Sequence, residues 1–370
     1  MSRTVTFGIV GGYGATGRIV ASELWRSCDG EILIGGRDLA KGKALAAEFD
    51  RRVTAAHLDI LDAHSLDDFC SRCSTIVNCA GPVMALQDRV AQAAFRRRCH
   101  YIDAAGMSFV KERMLPHSRE IQDLGLSFVV SAGWMPRISE LLPVYADAKA
   151  RAKMDTIESL TLYFGDSGEW STNALRDGFW SIRQSGLRSP GYFRKGEWTR
   201  AKMSEAFRRV NLGNPVGAGR FAIFFTPELS EVGRRFNNYD VFIYSYLSGL
   251  RTALAATLMA LVLPEGLGVR LVRNVFRRNR LPVDGFVAAQ ILGRSQGRRL
   301  ALTVQIVYRE RRDYWIHGLA LATVARIVSE SKGVRAGVHF LADAVEPIAF
   351  MAELRKAGVE QTENFEQPRE

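Results

Sequence analysis

The stretch Val5-Thr6-Phe7-Gly8-Ile9-Val10-Gly11-Gly12-Tyr13-Gly14-Ala15-Thr16-Gly17 decides the fold. An apolar strand runs into a set of glycines, and a helical pattern over 18–27 leads out of them. Gly12, Gly14 and Gly17 have the G-x-G-x-x-G spacing of a dinucleotide-binding turn, in the setting such a turn requires, between the first strand and first helix of a βαβ unit. Gly12 permits the tight turn, Gly14 lets the backbone approach a pyrophosphate, and Gly17 lets helix and strand pack closely. The helix N-terminus offers free N–H groups and a positive dipole end to phosphate. Tyr13, Ala15 and Thr16 complete the loop. The bland alternative is a glycine-rich turn that binds nothing, and the strand-to-helix context weighs against it.

Strand-like runs follow at 31–36, 53–58, 74–79, 100–104 and 126–131, with helical patterns near 15–28, 39–49, 63–71, 85–98 and 108–124. This alternation with short connections predicts a Rossmann-type, doubly wound parallel sheet covered on both faces. Ile32-Leu33-Ile34 and Ile76-Val77 are continuously apolar, as strands buried on both faces are. Ligands of such sheets bind beyond the carboxyl ends of the strands, so strand ends nominate the site.

The second strand ends Gly36-Arg37-Asp38-Leu39-Ala40-Lys41. An acid at the tip would bind the ribose hydroxyls of NAD, whereas Arg37, helped by Lys41, suits a 2′-phosphate. NADP(H) is therefore expected over NAD(H), with Asp38 as the competing ribose partner. Asp59 ends the third strand and could flank the adenine, and Ala80-Gly81-Pro82 ends the fourth, bordering the nicotinamide half. Asp103 ends the fifth at the expected mouth of the nicotinamide pocket, where a carboxyl serves proton transfer or acts as a cap or loop partner.

Beyond Ser131 the pattern changes. Gly133-Trp134-Met135-Pro136 reads as a turn, a helix follows from Ser139, and longer, alternating strands appear at 156–164, 221–226, 239–246, 285–293 and 299–308. The last two flank a polar hairpin connection, Arg294-Ser295-Gln296-Gly297-Arg298. The expected division is a dinucleotide-binding domain over 1–135, a substrate or dimerisation α+β domain with a mixed or antiparallel sheet over 136–345, a helix over 346–360 packing back on the first domain, and a frayed tail over 361–370. Ser171 and Thr172 lie at a strand-to-helix turn before a helical pattern over 174–184. They are candidates, with Asp103, for binding or protonating substrate, and helix capping is the alternative. The expected cleft lies between the first domain's strand ends and 165–185.

Lys and Arg number 50 against 39 Asp and Glu, a formal charge of +11. Neither a helix-turn-helix pattern, a zinc finger nor an RNA-recognition signature accompanies it, so nucleic acid is not expected. Residues 252–263 are nearly all apolar, too short to span a bilayer, and 267–280 is amphipathic with Arg270, Arg273 and Arg277 on one face. The pair reads as a buried or homodimer-interface helix beside a basic one, or as a docking face for an acidic carrier protein or an anionic membrane surface. Five cysteines without framework spacing and no visible secretory signal suggest a cytoplasmic, reduced protein, possible peripheral membrane contact aside. Cys70-Ser71-Arg72-Cys73 has no second pair at finger spacing, so no metal is expected.

Taken together, the Gly12–Arg18 turn, Gly36-Arg37-Asp38, Val77-Asn78-Cys79-Ala80-Gly81-Pro82, His100-Tyr101-Ile102-Asp103, Ala132-Gly133-Trp134-Met135-Pro136 and the closing Gly337-Val338 and Glu346-Pro347 segments resemble the saccharopine dehydrogenase-like oxidoreductases. Arg137 stands where that family usually has glycine. The resemblance implies a Rossmann domain, a substrate domain inserted before the last helix, and an NAD(P)H-dependent reductase acting on an imine. Two alternatives accompany it: a trans-acting enoyl reductase on a carrier-bound or lipid acyl chain, and a non-catalytic dinucleotide-binding sensor or scaffold.

Overall fold

The computed structural model describes residues 5–134, 137–166, 171–185, 190–225, 227–246, 258, 262–276, 283–309, 313–331 and 333–367. The chain forms two compact units: Met1–Ile138 with Tyr314–Ala357, and Ser139–Asp313 with Gly358–Glu370.

In the first unit, strands β1 (Thr6–Val10), β2 (Glu31–Gly36), β3 (Val53–His57), β4 (Thr75–Asn78), β5 (His100–Asp103) and β6 (Ser127–Val130) are joined by the fifteenth strand of the chain, β15 (Gly337–Phe340). They make one parallel sheet in the order β15-β6-β5-β4-β1-β2-β3. The chain winds outward from β1 through β2 to β3, then crosses to β4 on the other side of β1. The strand order reverses there, and such a switch point opens a crevice at the carboxyl ends. Ile9, Val10, Ile34, Ile76, Val77 and Ile102 are wholly buried, which explains the uninterrupted apolar runs.

The second unit is an insertion. Its strands are β7 (Thr156–Asp166), β8 (Gly191–Arg194), β9 (Glu197–Arg200), β10 (Phe207–Asn211), β11 (Ala218–Ile223), β12 (Asp240–Tyr246), β13 (Gly285–Ser295) and β14 (Arg298–Tyr308), with β16 (Glu360–Glu366) at the end of the chain. The sheet runs β10-β11-β12-β7-β13-β14-β16, with β8 and β9 attached through β12. It is mixed, because β12 pairs in parallel with β7 while its other neighbours are antiparallel. The β13–β14 hairpin turns at Gln296 and Gly297, both at positive φ (50° and 77°), the pattern of a tight primed turn. Tyr163, Tyr192, Phe221, Phe242, Tyr244 and Phe286 share one packed cluster against this sheet.

The expected domain boundaries change in two places. The second domain ends at 313 rather than 345, because the apolar helix Asp313–Ser329 and β15 return to the first unit. There β15 extends the parallel sheet by pairing with β6, Gly337 opposite Ser127 through Phe340 opposite Val130. The frayed tail expected over 361–370 is instead strand β16 as far as Glu366, antiparallel to β14 from Val307–Glu360 to Ala301–Glu366. Backbone pairing with β14 holds it, so its polar side chains carry little trace of a strand. The Tyr145 hydroxyl donates to Glu363, and Lys149 Nζ lies 3.4 Å from the same carboxylate.

Residues 252–257, 259–261 and 277–280 lie outside the described residues, so only parts of the apolar run and basic face are described. Within that region, Glu265–Phe276 is helical. Among the described residues no helix is long and apolar enough to cross a membrane. Among them also, no three His, Cys, Asp or Glu side chains are grouped to hold a metal ion. Cys70, Cys73 and Cys99 serve packing: the Cys99 thiol donates to the carbonyls of Cys70 and Cys73 at 3.3 Å each, and burial pushes the Cys73 thiol up to about 12.

Candidate cofactor site

The site is built from the carboxyl end of β1 upward. The N–H groups of Gly11 and Gly12 both donate to the Gly35 carbonyl, at 2.9 and 3.1 Å, which ties the glycine turn to β2. Gly11 has a φ of +73°, a conformation open to glycine at little cost. At Gly17 a Cβ would stand 2.4 Å from the Gly11 carbonyl oxygen and 2.6 Å from Gly12 Cα, so glycine alone permits this approach of helix to strand.

Gly14 is different: it is exposed, and a Cβ there would meet only the Gly11 oxygen, at 3.1 Å. It is the N-cap of helix Ala15–Ser27, with no side-chain hydrogen bond and no acid in the first turn. By contrast, Asp38 and Asp62 cap the next two helices, Leu39–Ala46 and Ala63–Ser71, with their carboxylates. A bare, exposed helix N-terminus at the switch point fits the pyrophosphate of a dinucleotide.

At the tip of β2 the Tyr13 ring lies on Gly36, where an added Cβ would come within 2.9 Å of the ring carbons and hydroxyl. The Tyr13 hydroxyl accepts the Asp38 N–H at 3.0 Å. Asp38 is spent locally, its carboxylate accepting the Lys41 N–H at 3.1 Å and pairing with Lys41 Nζ at 3.4 Å. Those contacts, with the backbone bond first, hold its carboxyl below the usual range. Arg37 is exposed and has no ion-pair partner among the described residues, so its guanidinium is available to an anion. Asp59 is half-buried; its carboxylate accepts the Leu61 N–H at 2.9 Å, a turn role that occupies one oxygen.

At the end of β4, Cys79 N–H donates to the Val10 carbonyl at 2.9 Å and Ala80 N–H to Asn78 Oδ1 at 3.1 Å. A Cβ on Gly11 would be 3.1 Å from the Ala80 nitrogen, so the Ala80-Gly81-Pro82 segment runs beside the glycine turn. Asn78 is opposite Asp103 on β5, and its amide donates to the Tyr101 hydroxyl at 3.3 Å.

Asp103 is 1% exposed. Its Oδ1 accepts the N–H groups of Ser131, at 3.0 Å, and of Gly106, and its carbonyl accepts the Ala132 N–H at 2.7 Å. Oδ2 is buried with no hydrogen-bond partner among the described residues. Burial pushes the carboxyl up to about 6, against the Ser131 and Gly106 N–H groups, which favour the charged form. The side chain thus ties the Gly106 and Ser131 backbone together.

A second buried group holds the same crossover. His317 Nδ1 accepts the Trp134 N–H at 3.0 Å, and burial lowers the imidazole to about 4, so it is neutral with its proton on Nε2. Arg137, also 1% exposed, stacks its guanidinium 3.5 Å above the Phe340 ring. Sequence reasoning missed His317 because nothing local marks it, and Arg137 showed only as an odd residue after a turn.

Ser171 and Thr172 lie in the second unit and are exposed. Ser171 Oγ accepts the Ala174 N–H at 3.2 Å, capping helix Thr172–Ser185, and Thr172 Oγ1 accepts from Arg273 Nη2 at 2.5 Å. Both hydroxyls have partners within the unit, an amide for Ser171 and a guanidinium for Thr172. The structure therefore gathers Gly12, Tyr13, Gly14, Ala15, Thr16, Gly17, Arg37, Lys41 and Ala80 about one end of β1, with Asp103 two strands away, and gives Ser171 and Thr172 structural partners elsewhere.

Comparison with known proteins agrees with this geometry. Residues 7–129 match the family described as the saccharopine dehydrogenase NADP-binding domain. A human saccharopine dehydrogenase-like oxidoreductase is 25% identical over 185 residues, half of this chain and 41% of the human one, so the match spans less than half of that relative's length. Among solved structures, the apo saccharopine dehydrogenase (L-Glu forming) of Saccharomyces cerevisiae matches with a TM-score of 0.67 and 15% identity, over 98% of this chain and 100% of that one. A probable dehydrogenase from Thermotoga maritima matches with a TM-score of 0.51 and 10% identity, over 97% and 98%. These two likenesses establish a shared two-part fold. Residues 7–129, which carry the uncapped glycine turn, match a saccharopine dehydrogenase NADP-binding domain, and the chain as a whole is similar in fold to a saccharopine dehydrogenase.

Proposed function

We propose that this protein is an NADPH-dependent reductase that delivers hydride to an imine. The observation that carries the reading is the bare N-terminus of helix Ala15–Ser27 at the switch point, in a chain whose whole fold resembles a saccharopine dehydrogenase. Gly12, Gly14 and Gly17 hold the pyrophosphate, Arg37 the 2′-phosphate, and Ala80-Gly81-Pro82 borders the nicotinamide, which supplies hydride when bound. Imine reduction forms one C–H bond and one N–H bond, so a proton must reach the nitrogen as hydride reaches carbon. Asp103 in this reading acts through the 103–107 and 131–132 loops that it ties together. It positions the site's floor, and orientation is the protein's main contribution.

The test is consumption of NADPH, read at its near-ultraviolet absorbance, with panels of primary amines mixed with aldehydes or 2-oxo acids, and separately with enoyl thioesters. Turnover with the amine and carbonyl mixtures, dependent on both components, is the expected result. Turnover with enoyl thioesters alone would replace imine by C=C reduction. Tight NADPH binding without turnover on any panel would mark a dinucleotide sensor.

A further inference from the structure

We infer that Tyr13 is a positioning residue for cofactor discrimination: through its hydroxyl it holds the tip of β2 so that Arg37, and not Asp38, faces the adenosine ribose. The inference rests on the reading of Arg37 as the 2′-phosphate partner and deepens it. Three contacts carry it. The Tyr13 ring lies on Gly36, the residue before Arg37, so closely that an added Cβ there would push the ring aside. The Tyr13 hydroxyl accepts the N–H of Asp38, the residue after Arg37, at 3.0 Å. Arg37 is thus bracketed on both sides by one side chain that itself comes from the glycine turn. The third contact turns the competitor away: Asp38 is committed to the Lys41 N–H and the Lys41 ammonium.

The chemistry of discrimination follows from this arrangement. An acid free at the end of β2 would accept from the ribose hydroxyls and repel a 2′-phosphate. Here the acid serves as a helix cap, and a guanidinium with no ion pair among the described residues stands at the tip. An arginine on a loose loop would lose part of its charge-assisted bond to the entropy of ordering. Tyr13 removes that loss, so its hydroxyl acts on the 2′-phosphate without touching it. Because Tyr13 is part of the phosphate-binding turn, the pyrophosphate grip and the 2′-phosphate grip are mechanically joined.

The test uses the full chain and calorimetric binding of NADPH, NADH, 2′,5′-ADP and 5′-ADP to wild type, Tyr13→Phe, Arg37→Ala and the double variant. Tyr13→Phe keeps the ring on Gly36 and removes only the acceptor. It is expected to weaken NADPH and 2′,5′-ADP about fivefold, the worth of one modest hydrogen bond, while NADH and 5′-ADP stay within about twofold. In the Arg37→Ala background the same change is expected to have no further effect on the 2′-phosphate ligands, because Tyr13 acts through Arg37. Equal weakening of all four ligands would make Tyr13 a general support of the turn and overturn the inference. So would no change at all, or a full Tyr13 effect without Arg37. If Arg37→Ala itself leaves the ratio of NADPH to NADH affinity unchanged, the underlying reading of Arg37 fails instead.

Discussion

Two strand-to-helix turns in this chain look alike as sequence and differ in use. The turn that opens helix Ala15–Ser27 ends in Gly14, which offers no side chain, and its first amides are capped by none. The turn that opens Thr172–Ser185 ends in Ser171, whose hydroxyl takes the Ala174 N–H, while Thr172 accepts from Arg273. Hydroxyls at a helix start suggest a ligand site, yet the Ser171 hydroxyl satisfies an amide that a ligand would need. A vacant N-terminus is the better sign of an anion site; in the glycine turn Gly14 leaves it vacant while Gly17 permits the packing.

The largest effect should come from filling the glycine turn. Gly17→Ala forces a methyl group against backbone atoms that are tied into β1 and β2. A cost of about 3 kcal/mol or more is expected, with NADPH affinity lost along with the turn. Gly14→Ala meets a single carbonyl, so it should fold normally in urea titrations yet bind NADPH more weakly. If both variants lose stability equally, the division of labour between Gly14 and Gly17 is wrong.

The contrast sharpens with pH, because the first unit's scaffold titrates and the Ser171 cap does not. His317 is lowered from 6.5 to about 4 by burial. Its contribution is complete above about pH 6.5 and is lost as pH falls toward 4, since only the unfolded imidazole takes up a proton there. Asp103 has the opposite sign. Its pKa is raised from 3.8 to about 6, so the folded carboxyl keeps a proton that the unfolded one releases, and stability declines as pH rises through that window. Each shift corresponds to roughly 3 kcal/mol at full extent. Urea unfolding of wild type and Asp103→Asn at about pH 4.5, inside the window, and about pH 7.5, above it, should show the variant gaining on wild type at the higher pH. With His317→Gln, the wild type's advantage should shrink as pH falls from about 7 to about 5. Parallel pH profiles for wild type and either variant would remove that group from the account.

How much of this could be read in advance depends on whether the decisive contacts are local. The first six parallel strands are legible because burial on both faces leaves continuous apolar runs such as Ile32-Leu33-Ile34. The glycine turn is legible because its constraints lie within six residues. Strand β15 is not, since it is four residues long and pairs with β6 from beyond the inserted unit. Strand β9 shows mostly exposed residues, and β16 is mostly polar, so neither has an apolar alternation to find. His317 reaches the crossover from 183 residues away, and no spacing rule spans that distance. Asp103 was found as a strand-end carboxyl, but its burial and its two N–H partners belong to tertiary structure.

The smallest effect is also the most direct check on the opening contrast. Ser171→Ala removes the acceptor for the Ala174 N–H and leaves the helix start to water. Because the position is exposed, the freed amide is solvated rather than stranded, and the expected loss is about 1 kcal/mol of stability. If Ser171 only caps, NADPH affinity and kcat should stay within about twofold, and Ser171→Asp, which restores an acceptor, should recover stability without altering turnover. A hydroxyl that touched substrate would behave otherwise: Ser171→Ala would raise KM or lower kcat well beyond the stability change, and the aspartate would not rescue it. Measuring stability and turnover on the same three proteins therefore separates a helix cap from a substrate contact at this turn.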